Sequence, residues 1–237
     1  MLTFESEVSK IISRAPGVKS FQFKLKADVN YKPGQFFLTT IKIDGRELTK
    51  HFSFSSSPTE KGYIEFTKRI TQSEYSQGLQ NLKVGDWARL KLPLGSFTFE
   101  GEYEKVAFLS GGIGITPIRS ICKYVSDRGL ASDMVLLYGN ATEQDIIFRA
   151  DLDQLSQANK NLRVIYTLTA ADVEQQGWSG RTGYITDQMI QTEIPDYKNR
   201  TFYICGPPKM VELLMDILKN KLAVAPEQIK LENFTGY

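Results

Sequence analysis

A chain of 237 residues, 41% hydrophobic and 24% charged, is long enough for two compact domains with real cores and has no bias toward wholesale disorder. A formal charge of only +2, from 29 basic against 27 acidic residues with no Lys/Arg block, argues against nucleic acid as a partner. The opening Met1-Leu2-Thr3-Phe4-Glu5-Ser6-Glu7 is acidic and no apolar run is long enough to cross a bilayer, so a cytoplasmic protein without membrane insertion is expected.

The first hundred residues read as short strands. Phe21-Gln22-Phe23-Lys24-Leu25 alternates, Tyr31-Lys32-Pro33-Gly34 turns, and residues 35–43 are rich in β-formers. Further strands are expected over 63–69 and 87–92, the second preceded by the turn Lys83-Val84-Gly85-Asp86, and a helix over 73–82 opens on Ser73 as its cap. Regular spacing of this kind suggests a small antiparallel barrel. From Lys105 the pattern changes to continuous apolar strands (106–109, 134–138, 162–168 and 201–205) separated by helices expected over 117–127, 146–157 and 208–221, which indicates a parallel sheet covered on both faces. The expected fold is therefore an N-terminal antiparallel β-barrel, residues 1–100, followed by an α/β parallel-sheet domain, residues 101–237, with the joint at Phe99-Glu100-Gly101-Glu102.

Three segments carry candidate chemistry. Leu109-Ser110-Gly111-Gly112-Ile113-Gly114-Ile115-Thr116-Pro117 follows the first apolar strand and opens a helix, with Pro117 expected at the first helical position. Glycines there admit close backbone approach, and the helix start offers free N–H groups to a pyrophosphate, although many such turns bind nothing. Cys205-Gly206-Pro207-Pro208-Lys209-Met210 ends another strand and would lie beside it, because ligands gather outside the carboxyl ends of strands; an ordinary buried cysteine with a Gly-Pro stop reads the same. Lys50-His51-Phe52-Ser53-Phe54-Ser55 combines aromatic rings, hydroxyls and a cation suited to a flat ring with a phosphate tail, and equally suits a half-buried strand. His51, the only histidine, is either a cofactor contact or a surface strand residue. Two cysteines, Cys122 and Cys205, are too few for a disulfide framework, a four-thiolate zinc site or an iron–sulfur cluster, so no metal site is expected and redox chemistry would need an organic cofactor.

Taken in order, these motifs resemble the ferredoxin–NADP reductase superfamily, whose members place a nicotinamide-binding α/β domain after an FAD-binding barrel. The family's Arg-x-Tyr-Ser signature is similar to Lys50-His51-Phe52-Ser53. The resemblance implies that Phe52 stacks on the isoalloxazine, that Ser53 lies near its reactive nitrogen and that Lys50 faces the pyrophosphate. It further implies flavin contacts from Phe66, Thr67, Lys68 and Arg69, phosphate contacts from the helix start at Tyr75 and Ser76, and a barrel-closing turn at Leu92-Pro93-Leu94-Gly95-Ser96-Phe97. In the second domain it implies a dinucleotide loop at Gly111, Gly112, Gly114, Thr116 and Pro117, a contact from Asn140, with Asp145 and Phe148 in the following helix, and a nicotinamide-facing turn at Cys205, Gly206 and Pro207. Tyr237 would be a lid over the flavin face and Glu232 a proton-handling group.

The cofactor implied is FAD rather than FMN, with NADH or NADPH as hydride donor and a ferredoxin, an oxygenase component or a small acceptor receiving the electrons. Lysine at 50 loses the bidentate fork of arginine, and phenylalanine at 52 loses a hydroxyl. Ala141 stands where many relatives carry arginine, which points to NADH, while Arg181 leaves NADPH open. The changes at 50 and 52 also raise a second reading, a regulatory module that binds FAD or nucleotide without turnover; a flavin-free NAD(P)H-dependent reductase is a third.

Overall fold

The computed structural model describes residues 1–25, 29–171, 173, 174 and 177–233. Its first half contains β1 (Leu2–Ala15), β2 (Val18–Lys24), β3 (Phe36–Ile43), β4 (Arg46–Ser53), β5 (Tyr63–Arg69), α1 (Glu74–Asn81) and β6 (Trp87–Leu94). These strands form one six-stranded antiparallel sheet in the order β4-β3-β6-β1-β2-β5. The long β1 serves two partners, pairing with β6 from Leu2 to Glu7 and with β2 from Val8 to Ala15. The outer strands β4 and β5 meet where the Ser55 amide donates to the Glu65 carbonyl at 2.8 Å, which curls the sheet into a barrel around Phe21, Phe23, Phe37, Phe54 and Phe66. Helix α1 begins where expected, its Ser73 hydroxyl accepting from the Ser76 amide.

The second half contains β7 (Lys105–Gly111), α2 (Ile115–Asp127), β8 (Asp133–Asn140), α3 (Arg149–Ala158), β9 (Leu162–Leu168), β10 (Arg181–Thr182), α4 (Asp187–Glu193), β11 (Thr201–Gly206), α5 (Pro208–Asp216) and β12 (Ile229–Asn233). Its strands are parallel, in the order β10-β9-β8-β7-β11-β12. Side chains alternate between two cores. Val106 and Phe108 pack with Met134, Leu136 and the α2 face Ile115, Ile118 and Ile121, whereas Ala107 and Leu109 pack with Val135, Leu137 and α5. Phe97, Phe99 and Val18, all from the first half, are buried in the first of these cores.

Three helix expectations change. Helix α2 starts at Ile115, so Pro117 is the third helical residue, still within the first turn where no N–H is needed for the ladder. The helix expected from residue 146 starts only at Arg149, because Phe148 has a φ of +61° and breaks the backbone after a 3₁₀ turn at Glu143–Asp145. The helix expected over 208–221 is α-helical only to Asp216 and continues as a π-helical turn over Ile217–Lys221. Among the described residues no helix is long and apolar enough to cross a membrane.

Candidate functional site: two cradles facing one crevice

The second sheet is wound outward from β7 through β8 to β9, and the chain then returns to lay β11 on the other side of β7. The winding reverses between β7 and β11, which is where open α/β sheets bind ligands, outside the carboxyl ends of the strands. Those two ends are the predicted motifs. A Cβ on Gly114 would come within 2.3 Å of the Cys205 carbonyl oxygen and 2.6 Å of Gly206 Cα, so only glycine lets the two turns interlock. Gly111 is filled on its open side by the Met210 sulfur, 2.3 Å from where a Cβ would stand. Gly112 holds a φ of +50° with open space beside it, and its carbonyl accepts from the Tyr138 hydroxyl at 2.9 Å. The Thr116 hydroxyl turns back to the Ile113 carbonyl at 3.2 Å, the Ile115 amide donates back to the Gly112 and Ile113 carbonyls, and no side chain caps the start of α2.

Polar atoms lacking a partner lie in the same place. Ser110 Oγ, on β7 between Cys205 and Tyr138, and both amide atoms of Asn140 at the end of β8 are buried without a hydrogen bond among the described residues. Buried groups of this kind are rare unless something binds them. Cys205 is fully buried and its thiol is pushed well up by that burial and by Glu232 opposite it on β12, so it remains protonated. Burial also pushes the Glu232 carboxyl up to about 7.

In the barrel, β4 presents two faces. Phe52 and Phe37 point inward; Ser53 and His51 share the outer face with Phe36, whose ring lies 5.6 Å from the imidazole. Ser53 Oγ is buried and makes no hydrogen bond among the described residues. Lys50 extends the inward face toward Lys68 of β5, whose ammonium is disfavoured by burial and by Lys50. Thr39, paired with Lys50 across the sheet, also has a buried hydroxyl without a partner among the described residues. Two cations near one another and an unsatisfied hydroxyl paired across from one of them suit a diphosphate, and the Ser53 hydroxyl suits the polar edge of a ring, so these residues fit FAD.

Several residues expected at the site already have partners within the chain, or lie elsewhere. The Phe52 ring is stacked on Phe66 at 4.2 Å and is only 4% exposed, so it lies in the barrel core. Phe54 is stacked on Tyr31 at 3.9 Å in the same core, and the Phe66 side chain is fully buried. Tyr75 is also a core residue, its hydroxyl donating to the Thr39 carbonyl at 2.8 Å, and Ser76 hydrogen-bonds Thr71 Oγ1 at 3.0 Å. Ser55 and Thr67 belong to an internal polar network: Ser55 Oγ donates to Glu65 at 2.9 Å, Thr67 Oγ1 donates to Ser55, and Arg14 and Gln22 also bind the Glu65 carboxylate. Arg69 faces the second half, 3.7 Å from Asp145. Pro207 precedes α5 and is exposed, and Tyr237 lies outside the described residues.

Two family models match the chain. An oxidoreductase FAD-binding domain matches residues 5–99, and an oxidoreductase NAD-binding domain matches residues 108–216. The chain belongs to the ferredoxin reductase-like superfamily. Among curated relatives it is similar to the glycine betaine monooxygenase reductase subunit of Chromohalobacter salexigens, 30% identical over 216 residues that cover 89% of this chain and 59% of that one. It is also similar to NADH-cytochrome b5 reductase 1 of Dictyostelium discoideum, 30% identical over 75% of this chain and 62% of that protein. The chain thus spans about three fifths of the length of these relatives. A ferredoxin NADP+ reductase from Neisseria gonorrhoeae, solved with bound FAD and NADP, has the same fold at a TM-score of 0.81, with 20% identity over 98% of both chains.

Proposed function

We propose that this protein takes a hydride from a reduced nicotinamide dinucleotide onto FAD and passes the electrons singly to an oxygenase component, a ferredoxin-like protein or a small acceptor. The observation that carries the reading is the interlock of Gly114 with Cys205 and Gly206 at the switch point, which makes one crevice from two motifs and leaves Ser110 and Asn140 unsatisfied beside it. FAD, when bound, supplies the conversion of a two-electron donor into one-electron transfers.

The protein's own residues bind and orient. Lys50 and Lys68 hold the diphosphate, and the Ser53 hydroxyl bonds the polar edge of the ring. The backbone from Gly112 to Gly114 and the start of α2 receive the second dinucleotide. Cys205, fully buried and kept as a neutral thiol, packs beneath the crevice, and Glu232 holds a proton at its carboxyl up to about pH 7. Tyr237 belongs to the same proposal as a lid that moves aside for the nicotinamide. NADH is the preferred donor. Arg181, the cation expected to read an extra phosphate, is paired with Glu193, which also holds Arg163 at 3.1 Å.

The test is the visible spectrum of the purified protein, recorded anaerobically before and after NADH and then NADPH. A flavin band bleached faster by NADH is expected. A colourless protein that takes up no FAD, or a yellow one that neither nucleotide bleaches, would overturn the reading.

A further inference from the structure

The two halves meet on a buried ionic cluster that no motif announces. Arg119, on α2 and 7% exposed, donates from Nη1 to the Ser55 carbonyl oxygen at 2.9 Å. It pairs through Nη1 and Nη2 with Glu60 of the barrel, the Nη2–Oε1 contact being 3.1 Å. The same guanidinium reaches α3, where Asp151 Oδ2 accepts from Nη2 at 2.8 Å and from Nε at 3.2 Å. Beside it, Ser120 Oγ donates to the Ser56 carbonyl at 2.7 Å. The Phe148 ring lies between two cations, 5.5 Å from the Arg119 guanidinium and 4.8 Å from that of Arg14 on β1. Phe148 also keeps its φ of +61°, a conformation a bulky side chain seldom holds unless its surroundings enforce it.

The chemistry of this cluster favours direction over adhesion. Apolar contact alone would hold two domains together, and a buried ion pair gains little over a hydrophobic one in stability. A guanidinium whose Nε, Nη1 and Nη2 all have partners is a rigid planar fork, however, and fixes the angle between the elements it joins. Those elements are the two cradles. Ser55 and Ser56 prolong the chain from Ser53, and α2 is the helix that Gly114 opens.

We propose that Arg119 is a positioning residue that sets the gap and tilt between the flavin ring and the nicotinamide; the proposal rests on the function inferred above. Misplacement of reacting rings by about 1 Å can cost on the order of a hundredfold in rate, so loosening this joint should be visible in hydride transfer before it is visible in binding.

The experiment uses the purified FAD-loaded protein and the variants Arg119→Gln and Arg119→Lys, with Lys160→Gln, an exposed change beyond the end of α3, as control. Anaerobic stopped-flow bleaching by NADH should slow roughly tenfold or more in Arg119→Gln and less in Arg119→Lys, with FAD content and the NADH concentration for half-maximal rate kept near wild type. Independently of turnover, amide hydrogen exchange over residues 54–60 and the first turns of α2 should quicken in Arg119→Gln and stay unchanged in the control. Should Arg119→Gln fail to fold, Glu60→Gln carries the same comparison. A wild-type protein that neither nucleotide bleaches overturns the functional reading and the positioning role with it. Wild-type bleaching that is matched by the variants, or slowed only in step with lost FAD, overturns the positioning role alone.

Discussion

Glu232 and Cys205 face each other across the β11–β12 ladder, and burial acts on both in the same sense, favouring the protonated forms. For Glu232 the consequence is a pH-dependent stability. In the folded protein its carboxyl keeps a proton up to about pH 7, whereas in the unfolded chain it releases that proton in the ordinary glutamate range. Between those limits the folded state binds more protons, so stability falls as pH rises through the window and levels off above about 7. Glu232→Gln has no proton to lose. Its melting temperature relative to wild type should therefore climb from about pH 5 to about pH 8, by roughly 2–4 °C or more for a chain of this size. A difference constant with pH would show that the carboxyl titrates normally. At this scale the sequence was a partial guide. Hydroxyls at Ser53, Ser55 and Thr67 look alike in a string of letters, and only the pairing of β4 and β5 shows that Ser55 and Thr67 are held by the Glu65 network while Ser53 is left open. Thr39 and Ser110 carry no signal beyond their place in strands.

Elements were more legible where one period dominated. The four apolar strands of the second half were read nearly at their observed limits, because strands buried on both faces leave a continuous hydrophobic run. Strand β1 was missed, since it changes partner midway and most of its residues are exposed or half-buried. The β3–β4 hairpin that carries Lys50 and Ser53 had a usable mark in Asp44-Gly45, both of positive φ, as a tight two-residue hairpin turn demands. The strand-to-helix turn from β7 to α2 lends itself to a paired test. Gly112→Ala keeps open space but must hold a φ of +50°, at a cost of about 1–2 kcal/mol. Gly114→Ala drives a methyl group into the Cys205 and Gly206 backbone, which cannot rotate away, and should cost about 3 kcal/mol or more and remove nucleotide binding. Urea unfolding and nucleotide titration of both variants check the order; equal effects would mean that the two turns do not interlock.

For the whole molecule, the two-domain reading and the shared core pull in different directions. The joint near Gly101 is polar and turns at a φ of +103°, as a boundary should. Yet Phe97, Phe99 and Val18 are buried in the core of the second half, and the Tyr203 hydroxyl donates back to the Thr98 carbonyl at 2.8 Å. This was hidden in the sequence because an aromatic residue after a strand reads as the end of its own domain, and nothing local reports which core receives it. Each buried phenylalanine contributes roughly 2 kcal/mol, so removing the first hundred residues should cost the remainder on the order of 5 kcal/mol, comparable with the net stability of a typical domain. A protein comprising residues 101–237 should therefore unfold over a broad urea range with a low slope and bind an apolar dye, while the full chain unfolds cooperatively. A sharp transition for that fragment, with the nucleotide affinity of the full chain, would show that the second half is self-sufficient. The interdomain contacts would then act on the relative placement of the two cradles and leave the stability of each half to its own core.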